Sequence, residues 1–493
     1  MKAITHFIVF VSVVLTTTFT YAQENIFLTR DFWKTQPDTE TVKSKIDEYN
    51  KPTQLNANGF DPVVYAILEK APDKTIEYLL SLDGNDINKL THDGRTYLFW
   101  AAYIGNDRLM AYLLKQGAKT DIRDDHGYTV LNFAAATGQK NTKVFDLCLS
   151  NGANLLKDVD HDGANALLLA APFDTDFKVS DYFISKGLAV NSTDSHGNGL
   201  FNYAAKSGNI ELSKKLISKG IKGNDNAFLF ASMGMRGSST PLSYYKYLET
   251  AGLNPHVSGK DGRTPLHILS SRVKDIETLQ FFLNKNLDVN ARDEEGNTPF
   301  LNAARSNDLA VVKLFSKSIS DINLKNKKGA SAIMLAIAHN SPEIVKYLFG
   351  KGAKLNTTDT KGNNIAYYLV ESYNSKHESS FRDKAGFLKE HGTDILKSQQ
   401  DGNTLIHLAV QKNDIDLLKW ASGFNLDVNA KNQEGYTALH LSAMVSKNNE
   451  ILKYLIARGA NTKMVTDFEE SAFDLASENE LLVKNKVPLD FLK

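Results

Sequence analysis

Lys260 to Gly296 read KDGRTPLHILSSRVKDIETLQFFLNKNLDVNARDEEG. The Thr264 hydroxyl can accept an amide N–H at a helix start, and Pro265 fits the first turn, where no amide partner is lost. A short apolar run follows, then a second helical run; in later copies its apolar residues fall at helical spacing, as at Leu309, Val312, Leu314 and Phe315. The Asp-Gly turn at Asp261-Gly262 is answered 34 residues later by Gly296. One unit is therefore turn, helix, helix, and then the next turn.

The same unit recurs in both directions. Its anchor lies at Gly59, Gly94, Gly127, Gly163 and Gly197, then in degenerate form at Asn224. It continues at Gly262, Gly296, Gly329, Gly362, Gly402 and Gly435, and at Glu469 without glycine. Most spacings fall between 33 and 36; the exceptions are 27 and 38 around Asn224 and 40 between Gly362 and Gly402. Ala101-Ala102, Ala134-Ala135 and Ala303-Ala304 let paired helices approach closely. Gly-Ala pairs such as Gly117-Ala118 and Gly352-Ala353 end the second helix, where glycine accepts a left-handed conformation. No single helix pair can bury its own apolar face, so the core must arise from stacking.

A period near 33 with a Thr-Pro-Leu-His start resembles the ankyrin repeat. The resemblance runs from about residue 29 to the end and implies an all-α ankyrin-repeat solenoid of about thirteen helix-turn-helix repeats with terminal caps. The expected divisions are a signal peptide over 1–22, a leader and capping partial repeat over 23–55, and repeats over 56–220. A degenerate repeat with an insertion follows at 221–259, then repeats over 260–370. Residues 371–400 hold a repeat end with a polar insertion, and 401–493 the last repeats and a C-terminal cap. The insertions at 233–239 and 372–382 are expected to form loops on one face.

Composition narrows the classes. Lys plus Arg and Asp plus Glu are equal at 57 each, which argues against a nucleic-acid partner. Lys2, the apolar run from Ile4 to Leu15 and the small-x-small pattern at Thr20-Tyr21-Ala22 read as a secretory signal cleaved before Gln23. The run is too short to span a bilayer of about 30 Å, and no later segment is apolar enough, so no membrane span is expected after cleavage. Cys148, the only cysteine, lies on an apolar helical stripe and reads as a small buried hydrophobe. An exported soluble chain is the expectation: periplasmic in a double-membrane bacterium, with secretion the alternative.

A search for chemistry finds little beyond the repeat. There is no phosphate loop, His-Glu-x-x-His helix, Cys-x-x-Cys pair or nucleophile elbow. His267, His407 and His440 share one repeat position, which suits a structural imidazole bonded to backbone. Asp158, Asp160 and Asp162 match the first half of a calcium loop, but Leu169 stands where a bidentate Glu is needed, so calcium is a weak candidate. His92, His126, His161 and His196 fall at four successive turn tips and read as a solvated row. No cofactor and no enzymatic activity are expected.

The resemblance implies that turn tips and inner helices form a concave face for a protein partner. Carried across by position, that face includes Arg95, Tyr103, Tyr128, Arg263, Arg272, Arg305 and Tyr436, with Lys206, His339 and Gln411 beside them. Tyr and Arg are the types that most often dominate interface energy. Arg95, Tyr103 and Tyr128 form the sharpest group, because exposed tyrosine beside arginine has little reason to exist on a merely solvated surface. The expected function is a monomeric, non-enzymatic scaffold for protein partners outside the cytoplasm. The alternatives are an accessory to an exported oxidative-stress enzyme such as catalase, which some exported bacterial ankyrin proteins are thought to be, and a secreted effector binding host proteins.

Overall fold

The repeating turn needs a side chain that can hold several backbone N–H groups at once, and the sequence supplies Asp or Asn at its start. Asp124 Oδ1 accepts from the N–H groups of His126 and Tyr128 at 3.0 and 2.9 Å. Asp194, Asn326, Asp359 and Asn432 repeat the pattern with the N–H groups two and four residues on. Each turn so formed is tied to the one before it by a backbone bond. Asp125 N donates to Asp93 O at 2.9 Å, Glu294 N to Asp261 O at 2.8 Å, and Thr360 N to Lys328 O at 3.0 Å.

In this computed structural model, which describes residues 25–493, thirteen helix pairs follow the first turn, from Pro62–Leu68 with Asp73–Leu80 to Ala472–Glu478 with Glu480–Lys484. The described residues contain no β-strand, only isolated bridges such as Thr193 to Gly199. The fold is an all-α repeat solenoid. The expected signal peptide lies outside the described residues. The chain divides into two compact units, one ending at Ala204 and the other running from Ala205 to Lys493, with the division inside helix Leu200–Ala205.

In the first unit the described chain opens on Ile26–Leu28, Arg30–Lys34 and Thr39–Lys45. Phe27, Trp33 and Val42 are fully buried, and the Trp33 indole donates to Phe27 O at 2.8 Å. Cys148 is buried on helix Thr142–Ser150, and burial raises its thiol to about 12, so it packs as an apolar group.

In the second unit the Thr264 motif folds as its residues require. The Thr264 hydroxyl and the His267 ring close a capping box, and His267 Nε2 lies 3.2 Å from Asn297 O in the next turn. His407 and His440 reach the following turn in the same way. Burial lowers the proton affinity of all three rings, which keeps them neutral hydrogen-bonding struts.

The interhelix loops carry a second clamp. Asn307 Nδ2 donates to Ser270 O and Val273 O of the preceding repeat, at 2.8 and 2.9 Å. Asn340 and Asn479 do the same to Ala304 and Asn307, and to Ala443 and Ser446. The two insertions behave differently. Residues 234–241 form the expected loop between helices Ala227–Met233 and Leu242–Thr250. The expectation of a polar loop over 372–382 is corrected: after the short turn Ser375–His377, the chain enters the 13-residue helix Glu378–Glu390, with Phe381 buried. Phe381, Lys384, Ala385, Phe387 and Leu388 all fall on one face at helical spacing, so apolar burial wins over the polar composition around them.

That helix also replaces the amide clamp. Lys384 is 3% exposed, and its Nζ donates to Ile337 O at 2.8 Å, at the end of the preceding first helix. Burial lowers its pKa from the ordinary 10.5 to about 8. Between those two values the unfolded chain keeps the proton and the folded chain has lost it, so stability rises with pH across that window. Denaturant midpoints of the wild type and Lys384→Met, compared from about pH 7 to about pH 10, should therefore diverge, the wild type gaining on the variant as pH rises. Parallel curves would show that Lys384 does not titrate within the fold.

Candidate binding surface

In each unit the candidate contact residues lie on the first helices and the turn tips. In the first unit the chain concentrates aromatic residues there. Phe60 stacks on His92 at 4.2 Å between centroids and lies 5.7 Å from Trp100. Trp100 and Tyr103, both on helix Tyr97–Ile104, flank Phe133 at 6.1 and 6.0 Å.

Arg95 sits inside this cluster. Its guanidinium carbon lies 4.4 Å from the Phe133 ring centroid, Nε donates to Asp124 Oδ2 at 2.9 Å, and Nη1 donates to Asp93 Oδ2 at 3.0 Å. The expectation of Arg95 as a partner contact is corrected: it is 8% exposed, because its guanidinium stacks on a ring and satisfies two carboxylates at once. Tyr103 is 46% exposed, as that reading required. Tyr128 is half-buried; its hydroxyl is raised to about 12 by burial, with Asp160, Asp124 and Asp162 adding to the effect.

The tip histidines are not a uniformly solvated row. His92 Nε2 and His126 Nε2 approach Asp93 Oδ2 at 3.4 and 3.5 Å, and His92 Nδ1 lies 2.8 Å from Asn58 O. The side chain at Asp93 thus gathers two imidazoles and Arg95, on a backbone with φ of 57°. Sequence spacing alone could not show this, since it depends on how far the ladder draws successive tips together. Two of the calcium candidates, Asp158 and Asp160, bond backbone N–H groups of the turn. Asp158 accepts from Asn154 N, and Asp160 Oδ1 accepts from the N–H groups of Asp162 and Ala164. Among the described residues, no three His, Cys, Asp or Glu side chains gather into a group that could hold a metal ion.

In the second unit, Arg263, Arg272 and Arg305 line one groove of about 650 Å³ together with Met233 and Asp293. Arg263 pairs with Asp261. Arg272 donates to Met233 O, and to Ser238 O at 3.2 Å, so it clamps the 234–241 loop that sequence reasoning had not linked to it. Arg305 is exposed near the end of helix Pro299–Ser306. His339 and Gln411 stand exposed at the ends of their own first helices. Tyr436 is half-buried at a turn tip, its backbone carbonyl 3.1 Å from His407 Nε2. Tyr436 lies well apart along the chain from the arginine groove and lines none of it.

These environments predict unequal responses to substitution. Arg95→Ala leaves the Asp124 carboxylate, which is fully buried, without its cation and should cost about 3–5 kcal/mol in equilibrium unfolding. Tyr103→Ala, at a half-exposed site, should stay within about 1 kcal/mol of the wild type. Equal losses in the two variants would contradict the burial of Arg95.

The profile described as ankyrin repeats in three copies matches residues 63–155 and, in overlapping registers, 242–467. Among curated proteins, the chain is similar to the palmitoyltransferase AKR1 of Saccharomyces cerevisiae, 31% identical over 127 residues, covering 26% of this chain and 16% of that protein. It is 27% identical over 267 residues to the NAD-dependent deacetylase sir2B of Dictyostelium discoideum, covering 52% of this chain and 32% of that protein. A third match, to the phosphocholine transferase AnkX of Legionella pneumophila, is 26% identical and covers 28% of this chain and 14% of that protein. The chain thus spans less than a third of the length of each of these relatives. A solved structure, the ankyrin repeat domain of Bcl-3, aligns at 20% identity with a TM-score of 0.33 over 46% of this chain and all of that one. With its repeat matched by the profile over well more than half of its length, the chain belongs to the ankyrin-repeat family.

Proposed function

We propose that this chain is a non-enzymatic scaffold that works as a monomer outside the cytoplasm and holds a protein partner on its first helices and turn tips. One observation carries the reading. Tyr103, Arg305, His339 and Gln411 all stand exposed at or next to the C-terminal end of a first helix whose other residues are largely buried. The scaffold needs no large side chain at that position, whereas an interface draws its affinity from Tyr and Arg held on rigid elements. The ladder of tip bonds orders the surface before association, which removes part of the entropic cost of binding.

Support for a non-catalytic role comes from the residues with chemical potential. Cys148 is buried with its thiol raised to about 12, and the three repeat histidines are bonded to turn carbonyls. The activities named for the relatives belong to proteins of which this chain matches only a part. Placement outside the cytoplasm rests on the signal-like pattern of residues 1–22.

Affinity capture of partner proteins from the source cells, run with the wild type and with Tyr103→Ala/Tyr128→Ala, tests the surface. The double variant should lose captured protein by roughly tenfold, and Tyr103→Ala alone, at the exposed site, should lose part of it with thermal unfolding close to that of the wild type. Undiminished capture would move the contact off the first unit. Location is tested separately by fractionation and N-terminal sequencing. The mature chain should begin at Gln23 in a soluble exported fraction, and retention of Met1 in the cytoplasm would overturn the export reading.

A further inference from the structure

The arginine groove of the second unit has a charge pattern that the solenoid itself does not explain. Its charged lining groups are Arg263, Arg272, Arg305 and the single carboxylate of Asp293. Asp293 is engaged by its own turn, accepting from Asn297 N at 2.7 Å. Arg263 is offset by Asp261. Arg272 binds two backbone carbonyls, which fix its position but leave its positive charge uncompensated. Arg305 has neither a carboxylate nor a carbonyl partner among the described residues. The cations in this groove therefore outnumber the anions beside them.

Arg305 also marks where the groove continues. With Asn297 and Asn302 it lines a second groove of about 740 Å³ that runs on to His339 in the next repeat. There Lys328 and Lys361 meet three carboxylates, Glu295, Asp359 and Glu371, so the charges balance only when Arg305 is counted with the lysines. Beside His339 lie Arg305, Lys384 and Lys412, with Glu371 opposing them. Lys412 is paired with Glu371 at 3.2 Å, and Lys384 is buried against Ile337 O. The positive surplus thus lies in the first groove, and Arg305 is its exposed cation without a carboxylate partner. Met233, also in the lining, is an exposed apolar residue whose backbone oxygen is held by Arg272.

We propose, resting on the protein-binding role above, that this groove receives an extended acidic segment of the partner, with an Asp or Glu carboxylate on Arg305 and a neighbouring apolar side chain against Met233. A guanidinium is the group best matched to a carboxylate, through two parallel N–H bonds. One feature favours a short peptide contact over a nucleic acid: the positive surplus is confined to the first groove, and the second groove offers a continuous phosphate backbone no further run of cations.

Fluorescence anisotropy on the full chain tests this with three labelled probes of equal length: a peptide of Asp and Glu, a peptide of Lys, and a single-stranded oligonucleotide. The acidic peptide should bind and the Lys peptide should not. Arg305→Glu should weaken the acidic peptide by roughly tenfold or more while Arg305→Lys retains part of the affinity, and binding should fall as NaCl rises from about 0.05 M to about 0.5 M. Thermal unfolding of both variants should match the wild type, since the side chain is exposed. No binding of the acidic peptide, equal binding by wild type and Arg305→Glu, or tighter binding of the oligonucleotide would each overturn the proposal. None of these outcomes touches the capture of a partner through Tyr103 and Tyr128, so the acidic groove can fail while the binding role stands.

Discussion

Within each unit, most successive turn tips are joined by a backbone hydrogen bond, and this constraint sets the geometry of the stacked repeats around it. Thr360 N to Lys328 O is representative. The bond requires the two backbones to approach so closely that a Cβ at Gly329, where φ is +78°, would lie 2.6 Å from Thr360 N. Glycine is therefore needed at that site for two independent reasons, handedness and room. Asp359 completes the device by holding the next tip open through its own N–H acceptances. Once tip spacing is set, the first helices must stack behind it, and the interhelix clamps of Asn307 and Asn340 bind the far end of each pair to its predecessor.

The same constraint explains which variations the array tolerates. Where the 372–377 segment displaces the amide clamp, a lysine from the following helix supplies the donor to Ile337 O. The helix end keeps its partner, while the fold carries a buried ammonium. Where residues 234–241 intervene, Arg272 of the next repeat secures the loop through its carbonyls. In both places a cation donates to a carbonyl near a helix end, Arg272 to Met233 O and Lys384 to Ile337 O, because the last carbonyls of a helix lack intrahelical partners.

The face that varies is the one the ladder leaves free. In the first unit it is built of rings around a buried Arg95; in the second it is built of arginines around a shallow groove. Chemically these are different surfaces. The first offers aromatic area with one exposed tyrosine at its rim, and the second offers charge with an apolar wall. A scaffold of uniform repeats can carry both because the residues that hold the stack and the residues that meet a partner occupy different positions in each unit.

Much of this was legible in the sequence. The period, the Thr264–His267 cap, the packing of Cys148 and the thirteen units follow from local rules: capping, glycine handedness and apolar spacing. The candidate surface was legible only as a set of positions. Sequence could place Arg95 and Tyr103 on one face, but not say that Phe133 and Asp124, from the next repeat, bury the arginine and leave the tyrosine at the rim. Nor could it say that Arg272 holds a loop while Arg305 holds nothing. Repeat period and capping are properties of neighbours in the chain, so the sequence by itself determined them. Exposure and pairing depend on side chains about one repeat apart meeting across the stack, and only the tertiary structure decided those.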